Sequence, residues 1–159
     1  KLQERLQHWR PSSLRGEIWV GDGQIFYVDC YNSNPVSMKE ALIGFLNGFP
    51  QQPRLFVLGC MNELGSDSLA LHKQVGESVA FSSDDSAILC GDQSEALRAG
   101  MLESGVNSSS ITIVDHVEDA RSFVETFEGA ILLKGSRTYG LESLLPKDKT
   151  DSERSLAVC

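Results

Sequence analysis

Short, wholly apolar runs alternate along this chain with stretches whose apolar residues recur every three or four positions. Leu55-Phe56-Val57-Leu58, Ala87-Ile88-Leu89-Cys90 and Ala130-Ile131-Leu132-Leu133 are the runs, and Ile111-Thr112-Ile113-Val114 is a fourth carrying one threonine. Each predicts a short strand, and a run with no polar alternation predicts one covered on both faces. The stretches between them predict helices from about Ser66 to Ala80, from Gly91-Asp92 to about Ser104, and over Val117–Phe127, with a short final helix over Thr138–Leu145. Upstream, Met38, Ala41, Leu42, Phe45 and Leu46 line one face of a helix. Pro35 opens it, where a missing N–H costs nothing, and Gly48 stops it. Two β-rich runs, Glu17–Val20 and Gln24–Val28, flank Gly21-Asp22-Gly23 and predict a hairpin. Leu2, Leu6 and Trp9 predict a first helix ended by Pro11-Ser12-Ser13.

Strands alternating with helices predict an α/β fold: a Rossmann-like, mostly parallel sheet with helices on both faces. The N-terminal β-hairpin adds an antiparallel edge strand. At 159 residues, 41% hydrophobic and 23% charged, the chain suits one folded domain. No apolar run is long enough to cross a membrane. A net charge of −8 argues against a general nucleic-acid binder. The charge is uneven: residues 51–110 carry three basic groups against eight acidic ones. An anionic ligand is therefore expected near a few local cations, namely Lys39, Arg54, Lys134 or Arg137. Cys30, Cys60, Cys90 and Cys159 form no C-x-x-C pair and predict reduced thiols in a cytoplasmic protein. His8, His72 and His116 are too scattered to predict a metal cluster, and His72 reads as a packing or capping residue.

In a sheet of this kind ligands bind at the carboxyl ends of the strands. Four segments are predicted there. Asp29-Cys30-Tyr31-Asn32-Ser33-Asn34-Pro35 leads into a helix start and reads either as turn and cap chemistry or as a polar face for a nucleotide. Gly59–Gly65 reads either as a loop needing positive φ or as a ligand loop using Glu63. Gly91-Asp92 is the third. Lys134-Gly135-Ser136-Arg137 reads either as a solvated basic turn or as a seat for a carboxylate or phosphate. The chain carries no G-x-x-x-x-G-K-[ST] phosphate loop, no G-x-G-x-x-G after a strand and no G-x-S-x-G elbow. A self-sufficient site for nucleotide hydrolysis, hydride transfer or ester hydrolysis is not expected.

Several of these segments together resemble the carboxy-terminal domain of the Mur ligase family. The matching residues are Arg15-Gly16-Glu17, then Asp29-x-Tyr31-Asn32-x-Asn34-Pro35-x-Ser37-Met38, then Val57-Leu58-Gly59-x-Met61-x-Glu63-Leu64-Gly65. Ser68, His72, Gly76 and Lys134-Gly135-Ser136-Arg137 followed by Glu142 complete the set. The resemblance covers about residues 10–145. Cys60 stands where the family usually has Asp, Asn62 where it has Leu, and Ser33 where it has Ala. Within the family the likeness is to members that add D-alanyl-D-alanine to a UDP-N-acetylmuramoyl tripeptide through an acyl phosphate, in peptidoglycan synthesis. A Mur-type ligase with another amino-acid substrate, or a non-catalytic binding module, are the alternatives.

The resemblance implies a segment 1–14 leading from a central domain, a dipeptide-binding domain over 15–146, and a polar tail over 147–159. It implies that ATP and Mg²⁺ are held mainly by amino-terminal and central domains absent from this chain, which explains the missing phosphate loop. Asp29, Tyr31, Asn32, Asn34 and Pro35 would face the nucleotide and the closing interface. Lys134, Gly135, Ser136 and Arg137 would hold the dipeptide. No residue is expected to act as acid, base or nucleophile, and without a phosphate loop the isolated chain is expected to be inactive. The implied partners are the UDP-sugar tripeptide, D-alanyl-D-alanine and the missing domains, with no nucleic acid and no membrane.

Overall fold

The computed structural model describes residues 13–21 and 23–146. The helix predicted over residues 1–9, the middle residue of the Gly21-Asp22-Gly23 turn, Cys159 and the tail lie outside the described residues. The strands are β1 (Glu17–Gly21), β2 (Gln24–Asp29), β3 (Arg54–Gly59), β4 (Ser86–Cys90), β5 (Ile111–Val114) and β6 (Gly129–Lys134). The helices are α1 (Pro35–Gly48), α2 (Ser68–Glu77), α3 (Ser94–Glu103) and α4 (Arg121–Thr126). The sheet order is β1-β2-β6-β3-β4-β5. Only the β1–β2 pair is antiparallel, as the hairpin predicts.

Side chains alternate across the central strands, so each strand feeds two cores. Phe56, Leu58, Leu89, Ala130 and Leu132 pack with Met38, Leu42 and Phe45 of α1, Val75 of α2, and Leu97 and Met101 of α3. Leu55, Val57, Ile88, Ile131 and Leu133 pack on the opposite face with Val117, Ala120, Val124, Leu141 and Leu144. Three helices therefore cover one face, and α4 with its flanking turns covers the other. Among the described residues, no helix is long and apolar enough to cross a membrane.

The structure trims several predicted helices. Gly91 has φ +113, outside any right-handed helix, so α3 begins only at Ser94. A 3-10 turn over Gly65–Asp67 precedes α2. Val117–Ala120 is likewise a 3-10 turn before the short α4. The predicted final helix is two 3-10 turns, Arg137–Tyr139 and Leu141–Leu144, interrupted by left-handed Gly140 at φ +59.

Arg54 is not a cation for a ligand. It opens β3 at the amino edge of the sheet, opposite the loops of interest, and is buried. Its Nε donates to Asp85 Oδ1 at 2.9 Å and its Nη2 to Asp85 Oδ2 at 2.6 Å. The Ser82 N–H donates to the same carboxylate at 2.7 Å. This fork ties β3 to the loop entering β4.

Candidate functional site

β2 and β6 are parallel neighbours and end side by side, with Asp29 opposite Lys134. This register carries the site. Lys134 is only 1% exposed, and its Nζ lies 3.0 Å from Asp29 Oδ2. The same ammonium donates to the Asn32 carbonyl at 2.8 Å. Lys134 thus belongs with the 29–35 segment rather than with its sequence neighbours Ser136 and Arg137. Buried under that segment, it holds the segment down and holds the Asp29 carboxylate in place.

A recess of about 420 Å³ opens above this pair, lined by Arg15, Gly16, Tyr27, Asp29, Tyr31, Asn32, Asn34, Ser37 and Lys134. The Arg15 guanidinium lies 4.1 Å over the Tyr31 ring, a cation–π contact that sets one wall. The Tyr31 N–H donates to the Leu14 carbonyl at 3.1 Å, which ties that wall to the entry of the domain. Arg15, Gly16, Tyr27 and Ser37 were not assigned to this site by their sequence; only the pairing of β2 with its neighbours gathers them.

Both asparagines do turn and cap work. Asn34 caps α1, its Oδ1 accepting from the Ser37 N–H at 2.8 Å while Ser37 Oγ accepts from the Asn34 N–H at 3.1 Å. Asn32 Oδ1 accepts from the Ser33 N–H at 2.8 Å. Because backbone N–H groups occupy both amide oxygens, each side chain turns its –NH₂ away from those bonds as a donor. The recess therefore combines two amide donors and one carboxylate acceptor beside an aromatic ring. Among the described residues, the buried Ser33 Oγ has no hydrogen-bond partner.

The second motif is built for close approach. A Cβ on Gly135 would come within 2.7 Å of the Gly59 Cα, so the glycine lets the ends of β6 and β3 touch. Ser136 is buried and does not face a ligand freely: its Oγ accepts from the Asn62 N–H at 2.9 Å. Its N–H donates to the Cys60 carbonyl at 3.2 Å. Arg137 is half-exposed at 54% and is paired with Glu142. The cation expected for a carboxylate is therefore at the surface, already holding one carboxylate.

His72 is the fastener of the 59–65 loop. It is fully buried, its Nε2 accepting from the Met61 N–H at 2.8 Å and its Nδ1 facing the Ser68 carbonyl at 2.7 Å. Those partners require a neutral ring with the proton on Nδ1. Burial holds its pKa below the ordinary 6.5, against a smaller upward pull from the Ser68 hydrogen bond. The unfolded chain takes up a proton near 6.5, whereas the folded chain does so only at lower pH. Stability from this site is complete above about 6.5 and is lost as pH falls toward and through the folded-state value. Urea midpoints measured across that range should fall with pH, and His72→Gln should flatten the part of the fall that begins near 6.5.

Tyr139 escaped the sequence reading. Its ring lies against Gly59 and Gly91, and a Cβ on Gly91 would come within 2.4 Å of its hydroxyl. It thereby fills the crevice at the carboxyl ends of β3 and β4. Burial pushes its hydroxyl up to about 12, helped by the nearby Cys60, Asp92 and Cys90. The glycines that admit it end β3 and follow β4, far from Tyr139 in sequence, so no local pattern could have shown the contact. Cys30, Cys60 and Cys90 are buried, free thiols. Burial pushes Cys30 and Cys90 up to about 12 and Cys60 in the same direction, which keeps them protonated and unreactive.

Known proteins resemble this chain in sequence and in fold. The UDP-N-acetylmuramoyl-tripeptide–D-alanyl-D-alanine ligase of Escherichia coli is 31% identical over 138 residues, covering 80% of this chain and 27% of that protein. A crystal structure of MurF from Acinetobacter baumannii superposes with a TM-score of 0.74 at 24% identity, covering 89% of this chain and 31% of that one. MurF ligase from Thermotoga maritima, solved in complex with ADP, gives a TM-score of 0.66 at 20% identity over 86% of this chain and 30% of that one. The chain thus spans less than a third of the length of each protein. The family model described as "Mur ligase, glutamate ligase domain" matches residues 15–137, which include both strand-end motifs, and the chain belongs to this family.

Proposed function

We propose that this chain is the carboxy-terminal domain of an ATP-dependent ligase that joins D-alanyl-D-alanine to a UDP-N-acetylmuramoyl tripeptide. The observation that carries the reading is the Asp29–Lys134 pair, 3.0 Å apart, which assembles the Tyr31-Asn32-Ser33-Asn34 segment into a recess beside the Lys-Gly-Ser-Arg turn. The donor set suits the base and ribose of a nucleotide. The Asp29 carboxylate accepts from ribose hydroxyls, the Asn32 and Asn34 amides donate to ring or sugar acceptors, and Tyr31 under Arg15 offers a stacking face. Lys134 is buried and already doubly paired, so it is not available to a phosphate. Among the described residues, no group of three His, Cys, Asp or Glu side chains could hold a metal ion.

ATP supplies the phosphoryl group that activates the tripeptide carboxylate as an acyl phosphate; the incoming amine attacks its carbonyl carbon, and the amide forms as phosphate leaves and the nitrogen gives up a proton. This domain's part is positioning. Lys134 and the α1 cap keep the recess rigid, Arg137 receives the dipeptide carboxylate, and the closed domain keeps water from the acyl phosphate.

The test is phosphate release by the full-length protein carrying this chain, with ATP, the UDP-sugar tripeptide and either D-alanyl-D-alanine or single amino acids. Release dependent on the dipeptide is expected, and Arg137→Ala should raise the dipeptide KM by roughly tenfold while leaving that for ATP little changed. Release that depends on a single amino acid instead would identify a ligase of the same type with another acceptor. Robust ATP turnover by residues 1–159 alone would overturn the domain reading.

A further inference from the structure

We infer that Glu63 receives the amino end of the incoming acceptor, opposite Arg137, which receives its carboxyl end; the inference rests on the ligase reading. Among the described non-glycine residues, only Leu14 and Glu63 have positive φ, and Glu63 sits at +61. A non-glycine residue in this region is strained, and it persists only where its surroundings over-determine it. The surroundings here do so. Met61 is held by His72 at 2.8 Å, and the Asn62 N–H by Ser136 Oγ at 2.9 Å. Asn62 Nδ2 donates to Thr138 Oγ1 at 2.7 Å. Asn62 therefore clamps both residues that flank Arg137, and Glu63 follows directly on the clamp.

This stitching places an exposed carboxylate and an exposed guanidinium on two loops that cannot move apart independently. Among the described residues, no hydrogen bond or ion pair engages the Glu63 carboxylate. The chemistry of the acceptor asks for such a pair. An amino acid or dipeptide is a zwitterion, and a site with a cation alone would not distinguish it from a simple carboxylate. Arg137 gives one Nη1–H to Glu142 and keeps further N–H donors for a substrate carboxylate. Glu63 supplies the missing anion and orients the nitrogen that must form the new amide bond.

The experiment uses the full-length ligase with D-alanyl-D-alanine as acceptor and its N-acetylated form, which lacks the ammonium, as competitive inhibitor. Glu63→Gln should raise the dipeptide KM by about tenfold or more, as expected for loss of a charged hydrogen bond. The KM for ATP and for the UDP-sugar tripeptide should stay within twofold. The wild type should prefer the free dipeptide over its acetylated form, and Glu63→Gln should abolish that preference. Glu63→Gly removes the carboxylate and also relieves the φ strain, so it folds at least as well and should behave alike. A dipeptide KM within twofold of wild type in both variants, with the preference for the free amine intact, overturns the inference. If the wild type uses a single amino acid instead, the dipeptide reading fails alone, and the same comparisons on that acceptor decide the role of Glu63.

Discussion

Arg54→Ala is expected to lower the unfolding free energy by about 3–5 kcal/mol, the usual cost of removing one partner from a buried ion pair. The reason is the carboxylate left behind. The Asp85 side chain is fully buried, and Arg54 meets it with two N–H donors at 2.9 and 2.6 Å. After truncation only the Ser82 N–H remains among the observed donors to that carboxylate. Arg54→Lys keeps the charge but loses the fork and should recover part of the loss. The double variant Arg54→Met/Asp85→Leu removes the stranded charge and should be much closer to wild type than Arg54→Ala. Urea denaturation of the three variants checks this. Equal losses in Arg54→Ala and the double variant would mean that packing, not charge, holds this corner.

Gly76→Ala and Gly100→Ala are the second large effect, and helix propensity predicts the wrong sign for them. Both glycines lie inside helices, where alanine is better by about 1 kcal/mol. Yet α2 and α3 cross at these two residues. A Cβ on Gly76 would come within 2.1 Å of the Leu97 carbonyl oxygen, and a Cβ on Gly100 within 2.0 Å of the Lys73 carbonyl oxygen. Backbone cannot rotate aside as a side chain can, so the helices must separate. Overpacking of this kind costs about 1–3 kcal/mol or more, and the net effect should be destabilising by about 2 kcal/mol in each case. Gly48, the last residue of α1, has nothing within 4 Å of its Cβ position. Gly48→Ala should be neutral or slightly stabilising, and thermal melts of the three variants give the comparison.

Much of the fold was legible because its signals are local. The unbroken apolar run of β3 announced a strand covered on both faces, and all six of its residues are buried. Pro35 and Gly48 marked the ends of α1 as the structure has them. The errors were also local in origin. Periodicity ran on through Gly91 and through the turn at Gly140, and only the positive φ at each breaks the helix.

The candidate site was legible as a set of strand ends, not as a set of contacts. Asn32 and Lys134 lie 102 residues apart, and they meet because β6 inserts between β2 and β3. Chain order predicts parallel strands but not that insertion. Hence Lys134 was grouped with Arg137, its neighbour in sequence, when its charge is spent on Asp29. Arg54 was counted among cations open to a ligand because nothing local tells an exposed arginine from one paired across the sheet.

What the sequence determined by itself was the class of fold, the carboxyl-edge position of both motifs and the family they resemble. These follow from side-chain periodicity and residue type, which act over a few neighbouring positions. Only the tertiary structure decided which charges are buried and paired, which glycines admit a neighbouring backbone, and which loop carries strain at Glu63. Those depend on desolvation and close packing between segments distant along the chain, and both arise only when the sheet has assembled.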